Sequence, residues 1–286
     1  MRVASGARRF AVVTGANGGM GRACARMIGE TMELVLTDIN GVGLHAFAED
    51  LRNEGYSVRA VLAGDLADPG LTKRIGDAAG GSAGFGALIH TAALSPALAP
   101  WERIMRANAV GTARLLGAIE PLLQPGAVAV LIASMAAHMA PVLADVDAIL
   151  DDPLAADFLD CIGKVIDRLA DHKDPRGPAI VSYGLSKRMV MRMCEHRAAL
   201  WARNGARIVS ISPGTIWTPM GRKEAEENPT AARVVAATPA ARWGTVMDIA
   251  AAARFLISDS ASFVTGTDLR IDGGVTPVLR TAQLAG

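Results

Sequence analysis

Seven short apolar runs alternate with longer helix-like stretches along this chain, and this rhythm constrains the fold most strongly. The runs lie near Phe10, Leu34, Val58, Leu88, Val128, Ile208 and Leu269. Several of them are continuously apolar rather than alternating, which is typical of strands that are buried on both faces. We therefore predict an α/β fold with a doubly wound parallel sheet, helices on both faces and a ligand crevice at the carboxyl ends of the strands.

The composition favours a single domain over residues 1–286. Hydrophobic residues make up 51% and charged residues 20% of the chain, which is enough apolar material for one large core. The net charge of +1, without a basic block, gives no support for nucleic-acid binding or for an anionic membrane surface.

The three cysteines are scattered and lack metal-ligand spacing, so we expect no metal site and a reducing cytoplasm. The longest uncharged stretch, 127–144, is interrupted by Ser134, His138 and Pro141, which argues against a membrane span.

The first apolar run, at Phe10, leads directly into a glycine-rich turn and then a helix-like stretch. Glycines in such a turn let the backbone approach a pyrophosphate closely, and the positive end of the following helix favours its charge. A dinucleotide is the natural ligand of this arrangement. The contacts that we expect from the turn are Gly15, Asn17, Gly18, Gly19, Met20 and Gly21.

Tyr183 and Lys187 are four residues apart and therefore share one face of a helix. A free tyrosine has a pKa of about 10, so acid or base chemistry near neutral pH requires stabilisation of its phenolate. The ammonium group of Lys187 can supply the stabilising charge.

With these two motifs the chain resembles the short-chain dehydrogenase/reductase family, whose phosphate loop reads T-G-x-x-x-G-x-G and whose catalytic pair reads Y-x-x-x-K. Thr14, Gly15, Gly19 and Gly21 match the loop, and the resemblance extends over nearly the whole chain. It implies a Rossmann-like fold and an oxidoreductase that uses NAD or NADP. It also implies a homodimer or homotetramer that is built through the helix containing Tyr183 and its neighbour.

The resemblance assigns roles to further residues. Ser134, after an apolar run, is similar to the serine that hydrogen-bonds the substrate oxygen, although it could merely cap a strand. Asn108 is similar to the helix asparagine that supports the lysine and a water in a proton relay, although it could be an ordinary polar helix residue. Asp65 resembles the residue that contacts the adenine ring. The other cofactor contacts that the resemblance implies are Ile39, Leu66, Ala92, Ala93, Pro213, Gly214, Ile216 and Thr218, together with Tyr183 and Lys187.

One segment departs from the family pattern. Where the family commonly has N-N-A-G after the fourth strand, this chain has His90, Thr91, Ala92 and Ala93. The backbone of Ala92 and Ala93 can still line the cofactor, but a Cβ at Ala93 narrows the space. We expect His90 to be a structural, hydrogen-bonded histidine rather than a catalytic base.

Asp38, at the end of the second apolar run, bears on the choice of cofactor. Its carboxylate can accept hydrogen bonds from the ribose hydroxyls of the adenosine and would repel a 2′-phosphate. The nearest basic residue is Arg22. We therefore expect NAD as the cofactor, with NADP disfavoured.

Ser134 and Tyr183 are much farther apart in sequence than in most members of the family, which indicates a helical insertion over residues 135–180. Asp152 and Pro153 are typical of a helix start. An amphipathic spacing follows in Leu154, Phe158, Ile162, Val165 and Leu169. This helix could cover the pocket as a lid over a bulky apolar substrate, or it could form a subunit interface.

Together these features predict an NAD-dependent oxidoreductase that interconverts a secondary alcohol and a ketone by hydride transfer. Tyr183 would act as the acid or base, with steroid-like or other apolar alcohols suggested by family analogy alone. Two alternatives stay open. One is a 3-oxoacyl-thioester reductase using NADPH, and the other is a dinucleotide-binding regulator without turnover, which the departure at His90 keeps in view.

Overall fold

Seven parallel strands form one sheet at the centre of the molecule, as the apolar runs predict. The computed structural model of the chain describes residues 8–80, 84–227 and 229–284. The strands are β1 (Phe10–Thr14), β2 (Glu33–Asp38), β3 (Val58–Ala63), β4 (Phe85–His90), β5 (Val128–Ile132), β6 (Arg207–Pro213) and β7 (Asp268–Ile271). Each of the seven predicted runs lies in one of these strands, so the predicted fold class is confirmed.

The strand order is β3-β2-β1-β4-β5-β6-β7, and every neighbouring pair is parallel. The chain therefore builds outward from β1 to β3 and then returns to start again at β4, beside β1. A crevice opens at the carboxyl ends of the strands where the order reverses, and ligands of open α/β sheets bind there. The glycine turn after β1 and the segment after β4 both lie at this point.

Helices cover both faces of the sheet. They are α1 (Gly19–Gly29), α2 (Gly41–Asn53), α3 (Pro69–Ala79), α4 (Trp101–Met105), α5 (Gly111–Ile119), α6 (Met135–Met139), α7 (Ala144–Leu150), α8 (Phe158–Leu169), α9 (Gly177–Arg203), α10 (Pro219–Glu227), α11 (Pro229–Ala236), α12 (Val246–Ile257) and α13 (Val275–Leu284). One face packs against α1, α2 and α12, and the other packs against α3, α5 and α9.

The central strands β1, β4 and β5 are apolar along most of their length because each one contributes to two cores. In β1, Val12 packs into the core under α3, α5 and α9, whereas Ala11 and Val13 pack into the core under α1, α2 and α12. Successive strand side chains point to opposite faces, so both sets must be apolar. Burial of each large aliphatic side chain contributes about 1.5–3 kcal/mol, which makes this double core the main stabilising feature of the fold.

Three helices, α6 to α8, lie between Ser134 and α9. The helix predicted to start at Asp152 and Pro153 begins instead at Phe158, so that part of the prediction was wrong. Backbone bonds from Ala155 to Asp152 and from Phe158 to Ala155 form turns there, and they leave Leu154 outside the helix and 52% exposed. The apolar face of α8 consists of Phe158, Ile162, Val165 and Ile166. Among the described residues, no helix combines the length and apolarity needed to span a bilayer.

Candidate active site

The glycine turn after β1 forms one wall of a cavity of about 470 Å³. Gly15 has a φ of +63°, a conformation that side chains disfavour. A Cβ on Gly21 would overlap the carbonyl oxygen of Gly15, so the start of α1 lies directly against the turn. All the expected turn residues line this cavity: Gly15, Asn17, Gly18, Gly19, Met20 and Gly21.

The remaining walls come from other strand ends at the same edge of the sheet. Among the expected residues, Asp38, Ile39, Asp65, Leu66, Ala92, Ala93 and Thr218 line the cavity. The sequence reasoning missed Thr37, Gly64, Thr91, Leu94, Leu98, Arg103, Ala107, Pro219 and Met220. Several of these directly adjoin predicted residues, and Arg103 and Ala107 lie one helical turn apart before Asn108. These residues could therefore have been found in the sequence from their position next to predicted contacts or one helical turn away from them.

Asp38 is held in place at the edge of the cavity by two backbone N–H groups. Its Oδ2 accepts a hydrogen bond from Asn17 N at 3.0 Å, and its Oδ1 accepts one from Asn40 N at 2.9 Å. A carboxylate has about four acceptor positions, so two remain for a ligand. Arg22 donates to the carbonyl oxygen and to Oδ1 of Asn17, and its guanidinium stacks on Phe47 at 4.6 Å. This arginine is therefore already engaged within the protein.

Lys187 lies buried at the carboxyl end of β5. The residue is 3% exposed, and its Nζ donates a hydrogen bond to the carbonyl oxygen of Ile132 at 2.7 Å. Burial lowers the pKa of Lys187 from 10.5 to about 7 because the charged ammonium loses its hydration. Its Nζ lies 5.8 Å from the centre of the Tyr183 ring, one turn earlier on α9. Tyr183 and Lys187 therefore lie near each other on one face of α9, as expected.

Ser134 follows β5 by two residues and caps α6. Its Oγ accepts a hydrogen bond from Ala136 N at 3.2 Å, so the residue caps the following helix rather than the strand. Helix α6 packs closely on α9, where a Cβ on Gly184 would lie 3.5 Å from the Ala136 carbonyl oxygen. Ser134 and Tyr183 thus stand on two elements in direct contact.

Asn108 lies within a π-helical turn, Arg106–Val110, a distortion that is frequent at functional sites. Its Oδ1 accepts from Leu94 N at 2.8 Å, and its Nδ2 donates to Leu94 O at 2.9 Å and to Ser186 Oγ at 3.2 Å. The side chain therefore holds the segment after β4 against α9. Ser186 is the residue before Lys187, and support of the lysine by Asn108 through a water stays a prediction.

His90 is 2% exposed and has a hydrogen-bond partner at each ring nitrogen. The Thr112 hydroxyl donates to Asn108 O at 2.6 Å, so it must accept from His90 Nε2, which lies 2.8 Å away. His90 Nδ1 then accepts from the Thr14 hydroxyl at 2.7 Å. Burial, and secondarily the charge of Lys187, lower the pKa of His90 to about 3, which keeps the ring neutral. The structure thus agrees with the expected structural histidine.

Five of the predicted cofactor contacts do not line the large cavity, and Tyr183 and Lys187 on α9 are two of them. Gly214 and Ile216 line a separate cavity of about 200 Å³, and Pro213 ends β6 without lining either cavity. The chain after β6 turns through a bridge between Ile216 and Gly244, and it reaches the larger cavity only from Thr218 onward, with Pro219 and Met220.

Two family models match the chain in succession. The model described as short chain dehydrogenase matches residues 9–145, and the model described as enoyl-(acyl carrier protein) reductase matches residues 169–276. The chain belongs to the short-chain dehydrogenase/reductase family. Members of this family act as dehydrogenases or reductases on CH–OH groups and bind NAD or NADP, and this chain is such an enzyme.

Relatives match the chain over almost its full length. The short-chain dehydrogenase/reductase bsc3 of Alternaria brassicicola is 29% identical over 280 residues, which cover 94% of this chain and 96% of the relative. D-threitol dehydrogenase of Mycolicibacterium smegmatis is 29% identical over 278 residues, 94% of this chain and 93% of the relative. A solved short-chain dehydrogenase/reductase (glucose/ribitol dehydrogenase) from Brucella melitensis superposes with a TM-score of 0.73 at 26% identity, covering 94% and 98% of the two chains.

Residues 146–168 lie between the two segments that the short-chain dehydrogenase/reductase models match. This stretch contains most of α7 and nearly all of α8. Most of the two helices that precede α9 therefore lie outside the segments that the family models match.

Proposed function

We propose that this enzyme is an NAD-dependent oxidoreductase that interconverts a secondary alcohol and a ketone. The observation that carries the proposal is the position of α9, which brings Tyr183 and Lys187 to the carboxyl end of β5, directly beside the helix that Ser134 caps. A proton donor, a cation and a hydroxyl then lie together at the carboxyl end of β5, on the edge of the sheet that also carries the glycine turn.

Each of these side chains has a distinct part in moving the proton. Tyr183 donates its phenolic proton to the carbonyl oxygen in reduction and removes the alcohol proton in oxidation. Ser134 hydrogen-bonds the same oxygen and orients it. Lys187, close to the tyrosine ring, favours the phenolate when it is charged. Because its pKa is near 7, the lysine can exchange a proton close to neutral pH.

The residues around the glycine turn fit a dinucleotide. Because Gly15 and Gly21 have no Cβ, the turn packs directly against Ala92 and against the start of α1. The N–H groups at that helix start favour the negative charge of a pyrophosphate. The two remaining acceptor positions of Asp38 suit two ribose hydroxyls and disfavour a 2′-phosphate. Arg22 is engaged by Asn17 and so offers no ready partner for that phosphate. The bound nicotinamide ring supplies the hydride chemistry.

The substrate that we propose is an apolar secondary alcohol, including steroid-like ones. Leu94, Leu98, Pro219 and Met220 give the cavity apolar walls beyond the glycine turn. A polyol is the competing substrate class, since one relative is named D-threitol dehydrogenase. Assembly into a homodimer or homotetramer stays a prediction.

The test is to follow nicotinamide absorbance with NAD and then NADP across apolar alcohols, steroids and polyols. Tyr183→Phe should lower kcat by about 10²–10⁴-fold with little change in NAD affinity. Tyr56→Phe is a matched control because Tyr56 is the other of the two tyrosines, and it should leave turnover unchanged. Full activity in Tyr183→Phe would refute the proposed acid–base role. Preference for NADP would refute the reading of Asp38 and favour a 3-oxoacyl-thioester reductase.

NAD binding without turnover of any alcohol would favour the dinucleotide-binding regulator. The binding measurement should therefore be made independently of the activity assay, by the fluorescence of added NADH.

A further inference from the structure

We propose that α7 and α8 close the outer surface of α9 within the chain itself. In this arrangement the helix that carries Tyr183 and Lys187 is supported without a second copy at that surface. The family resemblance implies subunit pairing through this helix, so the proposal changes what is expected of this chain. It does not depend on the substrate or the cofactor.

The burial of α9 is the first observation. A helix that packs on a sheet and faces solvent keeps an exposed stripe that recurs every turn. In α9, no residue from 181 to 194 is exposed, a span of more than three turns. Exposed side chains return only at Glu195 and His196. The middle of this helix is therefore covered on the side away from the sheet as well.

The cover is apolar at its centre. Phe158, Ile162, Val165 and Ile166 of α8 are buried in the same core as α9 residues such as Leu185 and Met189. On its other flank α8 approaches α4 closely, since a Cβ on Gly163 would lie 2.9 Å from Cη2 of Trp101. The apolar face of α8 is therefore buried against other helices of the same chain.

A row of salt bridges joins α7 to α9. The guanidinium of Arg188 binds both oxygens of Asp147 at 2.7 and 2.6 Å, and Arg192 bridges Asp147 at 3.1 Å and both oxygens of Asp151 at 2.7 and 2.5 Å. The spacing of four residues on α7 matches the spacing of four on α9. Arg188, Arg192 and Asp147 are each below 20% exposed, so separating the helices would leave charges without partners.

The two earlier alternatives fit less well. The apolar face of α8 packs against α9 and against Trp101 of α4, so it is not available to cover a substrate as a lid would. The outward face of α8 is charged, whereas the centres of subunit interfaces are depleted of charge. Its exposed residues are Asp160, Lys164, Asp167 and Arg168. The family models also leave this stretch unmatched, as expected for a feature of this chain.

The first test places a bulky group on the outward face of α8. Lys164→Cys, in a Cys161→Ser background, is labelled with a large maleimide, and sedimentation velocity is measured over a wide concentration range. We expect the labelled and unlabelled proteins to sediment alike, whatever assembly other surfaces support. Dissociation of an assembly on labelling would overturn the proposal, because α8 would then lie at a subunit interface. The readout needs no turnover, so it is independent of the proposed function.

The second test disrupts the salt bridges between α7 and α9. Asp147→Arg places a third cation against Arg188 and Arg192, and we expect hydrogen exchange in α8 and in the middle of α9 to accelerate by tenfold or more. Asp145→Arg is the matched control, because Asp145 pairs with Arg168 on the exposed side of α7. Equal exchange in the two variants would show that these salt bridges do not hold the helices together and would overturn that step.

Discussion

Replacement of Lys187 with methionine should stabilise the fold while it removes activity. The lysine is buried, and its Nζ donates a hydrogen bond to the carbonyl oxygen of Ile132. Loss of hydration lowers its pKa from 10.5 to about 7. Methionine has a similar length and no charge, so it fills the same space without the cost of desolvation.

The magnitude follows from the shift in pKa. Below pH 7, holding the ammonium in the folded protein costs roughly 5 kcal/mol relative to water. Because the folded pKa lies below the unfolded one, the unfolded chain binds more protons between about pH 7 and pH 10, and stability rises with pH across that window. The variant leaves the carbonyl of Ile132 unpaired, at about 1–3 kcal/mol. The expected net gain at pH 6 is therefore about 2–4 kcal/mol.

The assay is urea unfolding of both proteins at pH 6, 8 and 9.5. We expect the difference in unfolding free energy to be largest at pH 6 and to shrink as the pH rises. Lys164→Met, on the exposed face of α8, should change stability little at any of these pH values. A Lys187→Met protein less stable than the native one at pH 6, or a difference that stays constant with pH, would refute burial of the ammonium as the cause.

Three further changes test other parts of the site. Asp38→Ala should weaken NAD binding by about tenfold and narrow the preference over NADP, as measured by fluorescence titration with NADH and NADPH. His90→Asn removes a ring whose folded pKa of about 3 lies below its unfolded value of 6.5. The native protein should therefore lose stability as the pH falls from 6.5 towards 3, because the unfolded chain binds a proton that the folded ring does not. We expect the urea midpoint to fall less between pH 6.5 and pH 4.5 in the variant than in the native protein. Gly21→Ala forces a Cβ against the carbonyl of Gly15 and should lower NADH affinity at least tenfold, whereas Gly117→Ala, where a Cβ meets nothing, should not.

The parts of the site that the sequence predicts are those in which local chemistry demands one residue type. Gly15 and Gly21 are examples, since the turn leaves no room for a Cβ at Gly21 and requires a positive φ at Gly15. Asp38 is another, because dinucleotide folds often carry an acidic residue at the end of the second strand, and this one lines the cavity. The same local logic predicted the strands, whose burial on both faces demands apolar side chains.

The remaining residues are brought to the site by the fold alone. Leu98 and Met220 line the cavity from loops that tolerate many side chains, so their sequence carries no signal. The partners of His90 lie 76 and 22 residues away, and only the packed sheet shows that Thr14 and Thr112 are those partners. Pro153 illustrates the opposite failure, because a typical helix start is overridden by the turns that place Phe158 in the core.

The chemistry and the covering of α9 have a common physical cause. An amine whose pKa lies near 7 needs a dry environment, and burial is the cause of the shift at Lys187. A helix with an open stripe would admit water within one turn of that amine. The next residue, Arg188, carries a charge that is mostly shielded from water and therefore needs a partner. Asp147 on α7 binds its guanidinium. The helices that cover the outer side of α9 therefore also supply the carboxylate that Arg188 requires. Helix α9 can therefore hold a destabilising amine at the site because α7 and α8 stabilise its other side, and activity and stability at this helix are set by different faces of it.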